Sequence, residues 1–214
     1  MAARSVGASR EREGSAAPRC LAYAACSELL ASPHELDPRP ALQARVGLGA
    51  QWPQAAALDP VLVDVATADL GALRSAYSGL FEVGDDGPPV PLREDLQPGR
   101  AGSREELVRF YEHFGYTLDE HFAWQPDHLS VLLEFMHFLC WREAQAPDND
   151  AAQPFQLAQA DFAQRHLASW LPQWAQRVAA LAAGSPYARV AQALDGFVAA
   201  DMAWQAQSID AAIA

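Results

Sequence analysis

Apolar residues recur along this chain at helical spacing, and proline or glycine clusters separate the recurrences. After Pro18, Leu21, Ala24, Ala25, Glu28 and Leu29 keep a 3.6-residue period until Ser32-Pro33 closes the helix. Pro38, Pro40 and Pro53 then break the pattern, leaving short turns around residues 42–46. Over residues 60–81 the stripe Val61, Val65, Ala68/Asp69, Ala72 and Ala76, with Leu73, Tyr77, Leu80 and Phe81 beside it, predicts one long helix. Residues 84–102, rich in glycine and proline, read as loop. Ser103 with Glu106 three positions later forms a capping-box pattern ahead of Leu107, Phe110, Tyr111 and Phe114, and Gly115 supplies a C-cap.

The next helix is expected from Asp127 to about residue 146, with Pro147 and the polar run after it as the stop. Further helices are expected over 155–170, 172–183 and 186–207. No alternating strand pattern and no repeat period is visible. The expected fold is all-α: an irregular bundle of about six to eight helices, with room for two lobes joined by a hinge. Residues 1–17 are expected to be disordered and 18–214 to form a single domain, with a hinge or loop region over about 84–126.

The helix after Pro126 carries the most information. Pro126 fixes an extended approach, and Asp127 suits an N-cap, its carboxylate meeting the positive helix end. His128 falls in the first turn, where the same dipole disfavours an imidazolium. Leu129, Leu132, Leu133, Met136, Leu139 and Cys140 form the apolar stripe, widened by Phe135 and Phe138. Glu134 therefore sits among apolar neighbours and needs a partner or an opening to water. Phe155, Phe162, His166 and Trp170, and likewise Tyr187, Val190, Leu194 and Val198, read as core faces, with Asp201 as a buried, satisfied acid.

Composition narrows the class. Twenty-seven acidic against 15 basic residues give a net charge of −12, and no lysine is present. That field opposes nucleic acid, which demands a basic footprint, and anionic membranes, and it favours basic partners. Cys20, Cys26 and Cys140 make no CxxC pair and read as buried thiols of a reducing compartment. The arginine- and glutamate-bearing start has no apolar core for export, and the apolar run at 20–30 is too short for a bilayer, so the expected location is the cytoplasm. His113, His121, His128 and His137 form no HExxH motif, and no phosphate loop or GxSxG elbow is found. No metal, cofactor or catalytic residue is therefore expected.

Three segments together carry a family resemblance: Phe110-Tyr111-Glu112-His113-Phe114-Gly115-Tyr116, Pro126-Asp127-His128-Leu129, and Leu133-Glu134-Phe135-Met136. Their order resembles the TorD/DmsD/NarJ family of molybdoenzyme maturation chaperones, most closely those serving type II enzymes of the dimethyl sulfoxide reductase family. Asp161-Phe162, His166-Leu167 and Trp170-Leu171-Pro172 are similar to the family's following helix pair. The resemblance covers residues 92–201 and implies an all-helical, non-enzymatic protein. Such a protein binds the apo catalytic subunit of a molybdenum oxidoreductase, often at its basic twin-arginine leader, while cofactor is inserted before export.

It nominates Pro126, Asp127 and His128, in the hinge between lobes, as client-binding residues, with Trp124, Leu129 and Glu134 around them. Tyr77, Leu80 and Phe81 match, more loosely, an aromatic strip on the earlier helix. This chain has Trp124-Gln125 where the family often carries a glutamate. Asp127 as a plain N-cap, His128 as a packing residue and Glu134 as an internal ion-pair partner remain open beside these roles. A homodimer formed by exchanging lobes is a further expectation. The alternatives are a helical small-ligand or nucleotide-binding regulator, which requires a closed apolar pocket, and a metal-dependent hydrolase, which requires bound metal.

Overall fold

The computed structural model describes residues 14–85, 87–120 and 125–213. Ten α-helices, more than the six to eight expected, and no strands longer than isolated bridges occur among them, so the fold is all-α as the periodicity predicts. Helix α1 spans Ala16–Leu30 and begins inside the stretch expected to be disordered, with Ser15, Ala16 and Arg19 already buried. The proline-broken region folds into two short helices, α2 (Arg39–Gln43) and α3 (Leu48–Gln51), followed by a 3-10 turn, Pro53–Ala55.

The single helix expected over 60–81 is instead three pieces: α4 (Leu58–Thr67), α5 (Leu70–Tyr77) and a π-helical turn, Ser78–Glu82. Ala68 is extended, and the Asp69 carboxylate accepts a hydrogen bond from the Ala72 amide at 2.8 Å, capping α5. An aspartate gains more at a cap than inside a helix, so the stripe's one polar member becomes the break.

Helix α6 (Ser103–Phe114) ends where expected, at Gly115 with φ +67°. Its start departs from the capping box: Gly102, in a left-handed conformation, is the N-cap, and the Ser103 hydroxyl is buried without a hydrogen-bond partner. Glu106 is drawn off the box by Arg165, whose Nη1 lies 2.9 Å from its carboxylate. Helix α7 spans Leu129–Gln145. Helix α8 (Asn149–His166) takes the polar run expected to be a stop as its first turn, because Asp148 caps the Ala151 amide at 2.8 Å. Helices α9 (Leu171–Leu181) and α10 (Pro186–Ile213) complete the bundle.

Helix α7 is central: α1 lies along one side of it and α8 along another, while α10 packs on α9, α4 and α8. Its stripe is buried throughout, and Phe135 meets Tyr111 and Phe162 at ring distances of 4.8 Å. All three cysteines are free and buried.

One polar network crosses this core. Arg19 of α1 donates to both oxygens of Asp201 on α10, at 2.7 and 2.9 Å, and to Gln159 of α8 at 2.6 Å. Glu143 of α7 lies 3.4 Å from the same guanidinium and accepts from Gln156 and Gln159. Tyr23 and Gln205 each donate to Asp201 at 2.8 Å. Asp201 is thus the buried, satisfied acid the pattern suggests. No described helix is long and apolar enough to cross a membrane.

Candidate functional site

Residues 91–94 run beside the start of α7 and pair with it as a short β-like clamp. The Leu129 amide donates to the Leu92 carbonyl at 2.7 Å, and the Glu94 amide donates to the Asp127 carbonyl at 2.9 Å. Arg93 and His128 form the antiparallel bridge between them. Tyr111 secures the approach from below, its hydroxyl donating to the Pro126 carbonyl at 2.8 Å.

The helix is capped one residue later than its sequence suggests. His128, extended at φ −71° and ψ 136°, is the N-cap, and its Nδ1 accepts from the Ser130 amide at 3.3 Å. A ring nitrogen that accepts from an amide carries no proton, so the imidazole is neutral with its hydrogen on Nε2. Burial lowers the His128 pKa to about 4, outweighing the nearby Asp127 and Glu35 charges.

Asp127, fully buried, is not the cap. Its carboxylate accepts from Arg93 Nε at 3.2 Å on both oxygens and from the Asp95 amide at 3.2 Å, with Arg104 Nε at 3.6 Å. Two guanidiniums that the sequence places more than twenty residues upstream outcompete the helix end for this carboxylate. Next to it, buried Glu94 binds Arg100 and His166, whose Nδ1 is 3.1 Å from both carboxylate oxygens.

Over the clamp opens a cleft of about 490 Å³. Tyr77 and Phe81 line it together with His128, so two groups of predicted residues some fifty positions apart share one site. Leu92, Leu96, Pro88 and Pro91 add apolar surface, and Arg93, Glu35, Glu82, Ser32, Gln125 and Ser130 supply its polar groups. Tyr77 and Phe81 are held edge-to-face at 5.2 Å and backed by Tyr187 and Trp174, a continuous aromatic wall. The Tyr77 hydroxyl donates to the Leu30 carbonyl at 3.2 Å, and burial pushes its pKa up. Glu82 accepts from the Ser78 hydroxyl at 2.8 Å and from Ser32 at 3.4 Å, and its side chain is 40% exposed.

The remaining predicted residues are elsewhere. Leu80 and Leu129 are buried and do not line the cleft. Pro126 is buried and contributes its carbonyl to Tyr111. Glu134 is exposed rather than held inside the bundle, the Tyr116 hydroxyl donates a hydrogen bond to it, and the two residues line two shallow depressions. Trp124 and His121 lie outside the described residues. His113 sits on α6 and His137 contacts Cys20 at 3.2 Å, and the described residues contain no group of three metal-ligating side chains. Glu35, Glu82 and Arg93 were not singled out by the sequence pattern, since nothing local marks three isolated charges as converging.

The chain is similar to several known proteins. The family model for the nitrate reductase delta subunit matches residues 47–176. The chain is 44% identical over 112 residues to the chlorate reductase assembly chaperone protein of Ideonella dechloratans, covering 50% of this chain and 58% of that one. It is 42% identical over 134 residues to the selenate reductase assembly chaperone protein of Thauera selenatis, covering 60% and 67%. The chain thus spans less than two thirds of the chlorate relative's length. Among solved structures, the fold matches that of a proposed redox enzyme maturation protein from Archaeoglobus fulgidus. The TM-score is 0.52 at 18% identity, over 84% of this chain and 93% of that one.

Proposed function

The chain belongs to the nitrate reductase delta subunit family, and from that premise we propose that it is an assembly chaperone, not a catalyst, for a molybdenum-containing oxidoreductase. It binds the apo catalytic subunit in the cytoplasm, at the client's basic leader, and holds it for cofactor insertion before export. Several matched relatives are named as assembly chaperones of chlorate, selenate and perchlorate reductases.

The observation that carries the reading is the convergence of Tyr77, Phe81 and His128 on one cleft with carboxylates at its edge. An aromatic wall takes an apolar side chain, while Glu35 and Glu82 favour a cation beside it. A net charge of −12 steers a basic segment toward the protein from a distance. Neutral His128 adds a donor without adding repulsion.

The test is co-purification followed by calorimetry. The tagged chain, expressed with a molybdenum-enzyme catalytic subunit, is expected to retain the apo form and release the cofactor-loaded form. A synthetic leader carrying adjacent arginines is expected to bind with one-to-one stoichiometry. Equal retention of apo and loaded subunit would remove the maturation role.

A further inference from the structure

We propose that Asp127 sets the charge selectivity of the cleft without touching the client, acting as a positioning residue through Arg93. The inference rests on the leader-binding reading above and assigns a different task to a residue expected to contact the client.

Three observations lead to it. Asp127 is fully buried and is not among the cleft-lining residues. Its carboxylate is occupied from several sides: Arg93 Nε at 3.2 Å on both oxygens, the Asp95 amide at 3.2 Å, and Arg104 Nε at 3.6 Å. Arg93, in contrast, does line the cleft, with a side chain 25% exposed, and it shares that space with Glu35 and Glu82.

The cleft that must admit an arginine therefore has an arginine in its own wall. What reconciles the two is the carboxylate behind the wall. Asp127 holds the Arg93 guanidinium by its Nε edge and balances its charge, so that Glu35 and Glu82 dominate the open side. Without that anion Arg93 turns free, pairs with the rim carboxylates and repels the client's cation. A residue that never meets the client then controls which client is accepted.

Full-length protein and two synthetic leader peptides test this by calorimetry, one with adjacent arginines and one with glutamines in their place. Asp127→Asn, close to isosteric, is expected to weaken the arginine peptide roughly tenfold and the glutamine peptide less than about twofold. Arg93→Gln added to Asp127→Asn is expected to restore the arginine peptide to within about twofold of the unmodified chain. A double variant no better than Asp127→Asn overturns the proposal, as does an equal loss for both peptides, which marks a structural defect.

If Asp127→Asn fails to fold, Arg93→Gln alone decides. It is expected to keep or tighten arginine-peptide binding, and a loss of about threefold or more overturns the idea. Should the unmodified chain bind neither peptide, the leader reading falls and takes this one with it. Should it bind while rescue fails, only the role given to Asp127 falls.

Discussion

Arg19 and Asp201 stand 182 positions apart and meet in a two-point ion pair with both side chains fully buried. The pair ties the first helix of the described chain to the last one, across the faces of α7 and α8 that bring Glu143 and Gln159. Removing one partner strands the other charge in a region closed to water. Asp201→Ala is expected to lower stability by about 3–5 kcal/mol, read from urea unfolding. Arg19→Met combined with Asp201→Leu should cost less than Asp201→Ala alone, though Glu143 then loses its cation. A single-variant cost under about 1 kcal/mol would contradict the burial described. Burial by itself pushes the Asp201 carboxyl up, but Arg19, Tyr23 and Gln205 outweigh it and hold the pKa below the usual 3.8. Its contribution is therefore whole above that pH and fades as pH falls below it.

His128 gives a separate pH signature. Its folded pKa is lowered from 6.5 to about 4, so the unfolded chain binds more protons between those values. Stability therefore falls as pH drops through that window, by about 2 kcal/mol from pH 7 to 5. His128→Asn, which can keep a cap acceptor, is expected to flatten this part of the profile. Parallel pH profiles for the two proteins would exclude His128 as its source.

Glu82 is an exposed rim charge, and its loss should be felt in binding more than in folding. Glu82→Gln is expected to shift stability by no more than about 0.5 kcal/mol. It should slow association with an arginine-bearing leader and flatten the salt dependence of that rate, measured by stopped-flow fluorescence. An unchanged on-rate at low salt would place the client's cation elsewhere.

Gly115 ends α6 at φ +67°, with nothing within 4 Å of the position a Cβ would take. The strain of Gly115→Ala is therefore purely conformational, about 1 kcal/mol. Thermal unfolding is expected to show that loss with leader binding intact. A stability equal to the unmodified chain's would mean the backbone there relaxes.

Much of this architecture is legible in residue order because its determinants are local. The α7 stripe, the Gly115 cap and the buried reading of Asp201 need only helical spacing. What spacing hides is competition between local and distant partners. Asp127 has every local reason to cap α7, yet Arg93 and Arg104 take its carboxylate and His128 caps instead. Glu106 leaves its capping box for Arg165 in the same way. Asp69 shows the reverse, a local cap strong enough to split a stripe that looked continuous. In the cleft, Tyr77, Phe81 and His128 each carry a visible signal. Glu35, Glu82 and Arg93 become neighbours only through the packing of α1, the π-turn and the clamp.

The clamp between residues 92–94 and 127–129 has a topological consequence. The chain leaves the cleft wall at Arg93, builds α6, and returns to the same wall at His128. Because the two ends of this excursion are fastened to each other, and Arg104 and Tyr111 reach back to Asp127 and Pro126, the length of the stretch that follows Gly115 is nearly decoupled from the site. Adding or deleting a few residues changes the closure entropy only logarithmically. Evolution is thereby free to remodel the far tip of the excursion while the wall beside His128 keeps its shape.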